Sequence, residues 1–152
     1  MKRSTTQAAI RIGTLNIAAQ GAFFVGGEYR GEDAGLPTRM TGQMYVRYQI
    51  PVPKRGQQGR VPVVMIHGGG QQGTNFTGTP DGRPGWADFF LSRGWPVHVI
   101  DQPGRGRSPY QECDYGPKMR LDVPRIESHF TAVARSRLWS QAALHTQWPG
   151  AG

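Results

Sequence analysis

The chain has 152 residues and one cysteine, Cys113, so it can form no internal disulfide and no multi-cysteine metal site. Its net charge of +8 invites a nucleic-acid reading, but Lys and Arg run singly or in pairs from Lys2 to Arg137 with no stripe and no interleaved aromatics. With 22 glycines and 12 prolines the sequence reads as a folded, loop-rich protein rather than a low-complexity chain.

At the N-terminus, Met1-Lys2-Arg3 has the charge of a leader, yet Ala8-Ala9-Ile10 is cut at once by Arg11. No secretory signal or membrane anchor is expected, so the location stays open, cytoplasmic by default. Ile12 to Ile17, Ala22 to Val25 and Met44 to Ile50 are short apolar or alternating runs, punctuated by Gly26-Gly27 and by the polar stretch Gly31 to Pro37. They predict hairpin strands at a sheet edge, followed by an exposed turn from Pro51 to Arg60.

Val61 to Ile66 is almost continuously apolar, which predicts a strand buried on both faces. It runs into His67-Gly68-Gly69-Gly70 and a Gly/Pro-bearing loop to Gly85. Trp86, Phe89, Phe90 and Arg93 lie at helical spacing, with Gly94 at the expected helix end. Trp95 to Ile100 is a second apolar run that ends in Asp101, so residues 61 to 101 read as a βαβ unit with parallel strands. A loop from Gln102 to Pro124 precedes a helix suggested by Ile126, Phe130, Val133 and Leu138. The organisation is one incomplete domain over 1 to 152: a β-rich edge (12–60), the βαβ unit (61–110), and a loop and helix (111–152).

The glycines at 68 to 70 carry the chemistry. Acyl transfer builds negative charge on a carbonyl oxygen, and preorganised backbone N–H groups stabilise it by several kcal/mol. Glycine allows close approach of backbone to ligand, and the carboxyl end of a parallel strand is where such sheets bind ligands. Gly69 and Gly70 are therefore the candidate donors. His67 and Gly68 are expected to support the loop, His67 by hydrogen bonding rather than acid–base chemistry. A competing reading takes Gly68, Gly70 and Gly73 as G-x-G-x-x-G, with Asp101 on a ribose. That motif needs a helix directly behind it, and Gly78, Pro80, Gly82, Pro84 and Gly85 forbid one. The alternative kept open is a non-catalytic binding module, basic or dinucleotide-binding through residues 68 to 73.

Asp101-Gln102-Pro103-Gly104-Arg105-Gly106-Arg107-Ser108 closely resembles the D-x-x-G-x-G-x-S loop of α/β-hydrolases, about 34 residues after the His-Gly-Gly-Gly loop. Val63 to Tyr110 is similar to a small group of bacterial esterases of that superfamily, as is Leu138 through Gly150. The resemblance implies a doubly wound sheet, a Ser-His-acid triad and hydrolysis of a small-molecule ester, with no cofactor, metal, nucleic acid or membrane partner. It makes Asp101, Gly104, Gly106 and Ser108 loop-supporting residues, and it places nucleophile elbow, acid and histidine further along the chain. No serine here lies in G-x-S-x-G: Ser108 has Gly106 two before it but Tyr110 two after, and Ser92 has Gly94 after but Phe90 before. His98 is expected to pack in its strand, and His129 and His145 precede any possible elbow. The chain thus reads as the N-terminal part of an esterase, a truncated product or partial sequence, inactive alone. Exposed apolar surface is expected along the last strand, for want of the nucleophile strand.

Overall fold

A computed structural model describes residues 13–33, 35–56, 59–118 and 122–144. The leader reading over residues 1–12 and the expectation for His145 lie outside the described residues. Two compact units divide the chain, Met1–Gly116 and Pro117–Gly152.

The first unit is built on a four-stranded mixed sheet in the order β1-β2-β4-β3. β1 (Ile17–Asp33) and β2 (Leu36–Pro51) form one long antiparallel hairpin that turns at the polar stretch expected to break the strands. The shorter predicted runs merge because Gly26 and Gly27, read as punctuation, lie inside the ladder. Both adopt positive φ, as does Gly42 on the partner strand, and pairing continues from Gly26 with Gln43 to Glu28 with Thr41. A residue without Cβ bends a strand here without ending its hydrogen bonding.

β3 (Val63–Met65) and β4 (Val97–Asp101) pair in parallel and are joined through α1 (Trp86–Ser92), as the βαβ reading requires. The other edge of β4 pairs antiparallel with β2, Tyr45 opposite Asp101 through Gln49 opposite Val97. Met65, Ala87, Leu91, Val97 and Val99 form the buried core, with Val63, Phe76 and Phe90 packed against it.

Two sequence expectations are corrected. The run from Val61 to Ile66 is not buried on both faces: Val64 and Ile66 remain 55% and 61% exposed while Met65 between them is buried. The exposed apolar surface expected on the last strand lies instead on β3. β4 has neighbours on both sides, so the strand left at the edge is the earlier one. α1 forms where the helical spacing predicts it. It buries Ala87 and Leu91, leaving Trp86 61% exposed and Phe89 and Phe90 half-buried. Small and branched side chains let the helix sit close to β2 and β4, which leaves the Trp86 ring outside. Gly94, at φ +82, ends the helix as its position suggests.

The second unit is short helical pieces. Asp122 caps α3 (Val123–Ile126), its carboxylate accepting from Arg125 N–H at 2.9 Å. A π-type turn, Glu127–Thr131, follows, then α4 (Val133–Ser136), which ends at Arg137 with φ +46. The single helix expected from Ile126 to Leu138 is interrupted at Ala132 (φ −132, ψ 40), and of its four apolar markers only Val133 is buried. Leu138 lies beyond the last helical turn. Among the described residues, no helix is long and apolar enough to cross a membrane.

Candidate active site

The His-Gly-Gly-Gly segment leaves β3 and closes at once into a tight turn. Gln71 N–H donates to Gly68 O at 3.2 Å, and Gly70 occupies the third position with φ +74. That is a type II turn, whose third position requires left-handed backbone and so selects glycine. Gly68 N–H donates to Gln71 Oε1 at 3.2 Å, using the donor nearest the strand. Gly69 N–H and Gly70 N–H donate to no atom among the described residues, and both glycines are exposed. Open space surrounds the position a Gly69 Cβ would take, so packing does not demand a glycine there.

The turn is anchored from below by His67, which is buried. Gln102 N–H donates to its Nε2 at 3.1 Å, so the ring proton sits on Nδ1, which donates to Gly68 O at 2.9 Å. The Gln102 side-chain amide donates in turn to His67 O at 2.6 Å. Both ring nitrogens are occupied in holding the backbone, which leaves His67 no free nitrogen for acid–base work.

The far end of the glycine segment is tied to β4. Gly73 N–H donates to Asp101 Oδ1 at 2.6 Å, and a Cβ on Gly73 would lie 2.7 Å from Val99 Cγ1 and 2.9 Å from Ile100 O. The third glycine of G-x-G-x-x-G is therefore a packing residue against β4. Only a 3₁₀ turn, Gly73–Phe76, follows it, not the helix that a pyrophosphate site needs.

Asp101, 1% exposed, joins the two loops. Its Oδ2 accepts from Arg107 N–H at 2.8 Å and from Arg107 Nε at 2.7 Å, while Oδ1 takes Gly73. Burial by itself would raise this carboxyl. The Arg107 guanidinium and the two backbone N–H donors outweigh it and hold the group below the ordinary carboxylate range. With both oxygens engaged, Asp101 has nothing to offer a ribose. Gly106 (φ +52) passes directly over this carboxylate, and a Cβ there would lie 2.6 Å from Asp101 Cγ. Gly104 (φ +73) turns the loop beside Tyr110 and Tyr115. Ser108, 2% exposed, donates to Asp101 O at 2.6 Å and accepts from Tyr45 N–H at 2.8 Å. Its hydroxyl is a clasp between β2 and β4.

Gln71, Gln102, Arg107 and Tyr45 were not singled out by the sequence. Gln102 and Arg107 occupy variable positions of the D-x-x-G-x-G-x-S loop, yet they anchor His67 and Asp101. Tyr45 contributes its backbone to Ser108 and its ring to Arg107, whose guanidinium carbon lies 4.1 Å from the ring centroid. A motif that records only its glycines, Asp and Ser cannot flag them.

The other histidines fall elsewhere. His98 stacks on Tyr48 across the β2–β4 pairing, with ring centroids 6.1 Å apart. In the second unit Ser128 Oγ lies 2.9 Å from His129 Nδ1, but both groups also face the Arg125 carbonyl, at 3.0 and 2.9 Å. They are tied to the helix backbone on an exposed surface. Among the described residues there is no group of three or more His, Cys, Asp and Glu placed to hold a metal ion.

Comparison with known proteins gives a consistent direction. No protein-family profile matches the chain. It is 42% identical over 130 residues to "Probable secreted lipase phiG" of Fungal sp. (strain ATCC 74256), a match covering 86% of this chain and 32% of that protein. A solved structure described as "The Atomic Resolution Structure of a Novel Bacterial Esterase" is similar in fold, with a TM-score of 0.53 and 37% identity. That match covers 70% of this chain and 36% of the solved one. The chain thus spans about a third of the length of each relative.

Proposed function

We propose, from the premise that this chain is an esterase- and lipase-like α/β-hydrolase over the part of such proteins it spans, that Gly69 and Gly70 supply the oxyanion-hole donors of a carboxylic ester hydrolase. One observation carries the reading. Two adjacent backbone N–H groups, with no acceptor among the described residues, belong to a turn whose Gly68 N–H and C=O are held by Gln71 and His67, with His67 itself held by Gln102. Donors held this way need little reorganisation as charge develops on a substrate oxygen.

The reaction is acyl transfer to a serine and then to water. The serine oxygen bonds to the ester carbonyl carbon, its proton passes to a histidine, and the carbonyl oxygen takes up negative charge facing Gly69 and Gly70. Collapse breaks the ester C–O bond and the alcohol leaves with that proton; water repeats the sequence to release the acid. His67, Gly68, Asp101, Gly104, Gly106 and Ser108 act by holding the two loops. Nucleophile, acid and histidine come from a segment outside these 152 residues, in a complete doubly wound sheet. The open edge of β3, with Val64 and Ile66 exposed, is where a further parallel strand would pair. The substrate is a small-molecule ester, and the reaction uses no cofactor.

The test compares residues 1–152 with a longer form carrying a G-x-S-x-G segment, assayed on p-nitrophenyl acetate. The longer form should turn over, and Gly69→Pro, which removes one donor, should lower its kcat by about 10²–10³. The 152-residue chain should match its own Gly69→Pro control. Full kcat in the longer Gly69→Pro form would reject the donor assignment.

A further inference from the structure

The outward face of α1 carries aromatic side chains that its packing on the sheet does not explain. Trp86 and Phe89 meet edge-on, with centroids 5.6 Å apart and planes at 71°, and they wall a cavity of about 300 Å³. Asn75, Thr79 and Pro84 complete the wall, and its exposed lining is mostly apolar. An exposed tryptophan on a core-packed helix is a large apolar surface left in water, which the fold alone does not require.

This wall is built rather than loose. Thr79 N–H donates to Arg83 O at 3.1 Å, Gly82 N–H to Thr79 O at 2.9 Å, and Arg83 N–H to Thr79 Oγ1 at 3.0 Å. Arg83 Nε pairs with Asp81 at 2.8 Å, and Thr79 Oγ1 donates to the same carboxylate. Gly78 bridges to Pro84, which closes residues 78–84 into a small hairpin. Asn75 is exposed at the rim, and its side-chain amide has no hydrogen-bond partner among the described residues. A mostly apolar hollow with a convergent polar group is the usual form of a small-molecule subsite.

Topology places the cavity at the same end of the parallel strands as the glycine turn. α1 starts after the carboxyl end of β3 and returns the chain to the amino end of β4, so Trp86 lies at the carboxyl edge of the parallel pair. The Gly68–Gln71 turn leaves that same edge, and Gly73, two residues before Asn75, is bonded to the last residue of β4.

We propose that this cavity binds the aromatic group of the ester whose carbonyl oxygen faces Gly69 and Gly70, making Trp86 and Phe89 specificity-determining residues. The placement of the carbonyl rests on the oxyanion reading; occupancy of the cavity does not. A single benzene ring fills a closed cavity of roughly 150 Å³, so this one admits a ring with its substituents. The indole, and the phenyl ring on the side that the Arg93 guanidinium does not cover, offer the offset and edge contacts that rings prefer.

The test is a titration of the ¹⁵N-labelled 152-residue chain with phenyl acetate, and with methyl acetate as the ester lacking a ring. Phenyl acetate should give saturable shifts of the Asn75 side-chain amide, Gly78 N–H and the Trp86 indole N–H. Methyl acetate should bind there at least about tenfold more weakly. Trp86→Ala, which removes an exposed side chain, should weaken phenyl acetate at least about fivefold, and Phe89→Leu should do so without opening the core. Absent or non-saturating shifts at these groups, equal response to methyl acetate, or unchanged affinity in both variants overturns the assignment. Shifts at the cavity with none at Gly69 and Gly70 leave it standing and count against the oxyanion reading. Shifts at the two glycines alone do the reverse.

Discussion

Two glycine-bearing loops leave the same edge of the sheet, one after β3 and one after β4, and they use their polar groups in opposite ways. In the Asp101–Ser108 loop, both carboxylate oxygens and the serine hydroxyl are bonded inward, to Gly73, Arg107, Tyr45 and the Asp101 carbonyl. In the Gly68–Gln71 turn two backbone donors have no acceptor among the described residues. Similar glycine content therefore does different work. One loop is a clamp, and the other is a surface held still by that clamp. A residue's value to the proposed donor site is accordingly not its value to stability.

That contrast can be broken by mutation. Asp101→Ala should have the largest effect on folding, about 2–3 kcal/mol in urea denaturation, because it strips partners from Gly73 and Arg107 together. The range sits at the low end for a broken buried pair because Arg107 is partly exposed. A loss under about 0.5 kcal/mol would mean that the clamp is not one. The same residue sets a pH dependence. Its carboxyl is held below the ordinary range in the fold, so its contribution is complete above the unfolded value near pH 4 and is lost as pH falls through the lower folded value. The urea midpoint should drop on acidification below about pH 4, and Asp101→Asn should flatten that part of the curve.

Gly73→Ala comes next. Its methyl would meet Val99 and Ile100 well inside contact distance, which should cost about 1–3 kcal/mol as overpacking. Wild-type stability in this variant would remove the reason given for the third glycine. Ser108→Ala should cost about 1–2 kcal/mol through the hydrogen bonds to β2 and β4, while a longer, active form keeps its kcat per folded molecule. Loss of turnover without loss of stability would make Ser108 a reacting group after all. The smallest effect is expected for Gly69→Pro. Proline suits the second position of a type II turn, so stability should stay within about 0.5 kcal/mol while the oxyanion donor disappears. A large destabilisation there would move Gly69 from the active surface to the clamp.

Much of the first unit is legible from residue pattern alone. The βαβ unit follows from two apolar runs flanking a helical stretch, and Gly94 marks the helix end because a left-handed residue is needed there. The His-Gly-Gly-Gly segment points to a backbone donor site because residues without Cβ let backbone N–H groups approach a ligand at the carboxyl end of a parallel strand. The helix from Ile126 to Leu138 shows where pattern fails. Periodicity reports that four apolar residues could share a face, but Ala132 breaks the face and only Val133 finds a place to be buried. On α1 the spacing of Trp86, Phe89 and Phe90 marks a helix, but only packing on the sheet decides that Ala87 and Leu91 are its buried residues.

By itself the sequence determined the order of the elements, the glycine turn, the lack of a nucleophile elbow among these residues and the resemblance to ester hydrolases, because all of these are matters of local spacing. Only the tertiary structure decided that β3 and not β4 is the open edge, that His67 has both nitrogens occupied, that Asp101 is the tie between two loops, and that Gln102 and Arg107 hold the site. Those facts depend on which strand β2 chooses to pair with and on contacts between residues about 30 positions apart. Hydrogen bonds and packing of that range are set by the sheet, and no local pattern carries them.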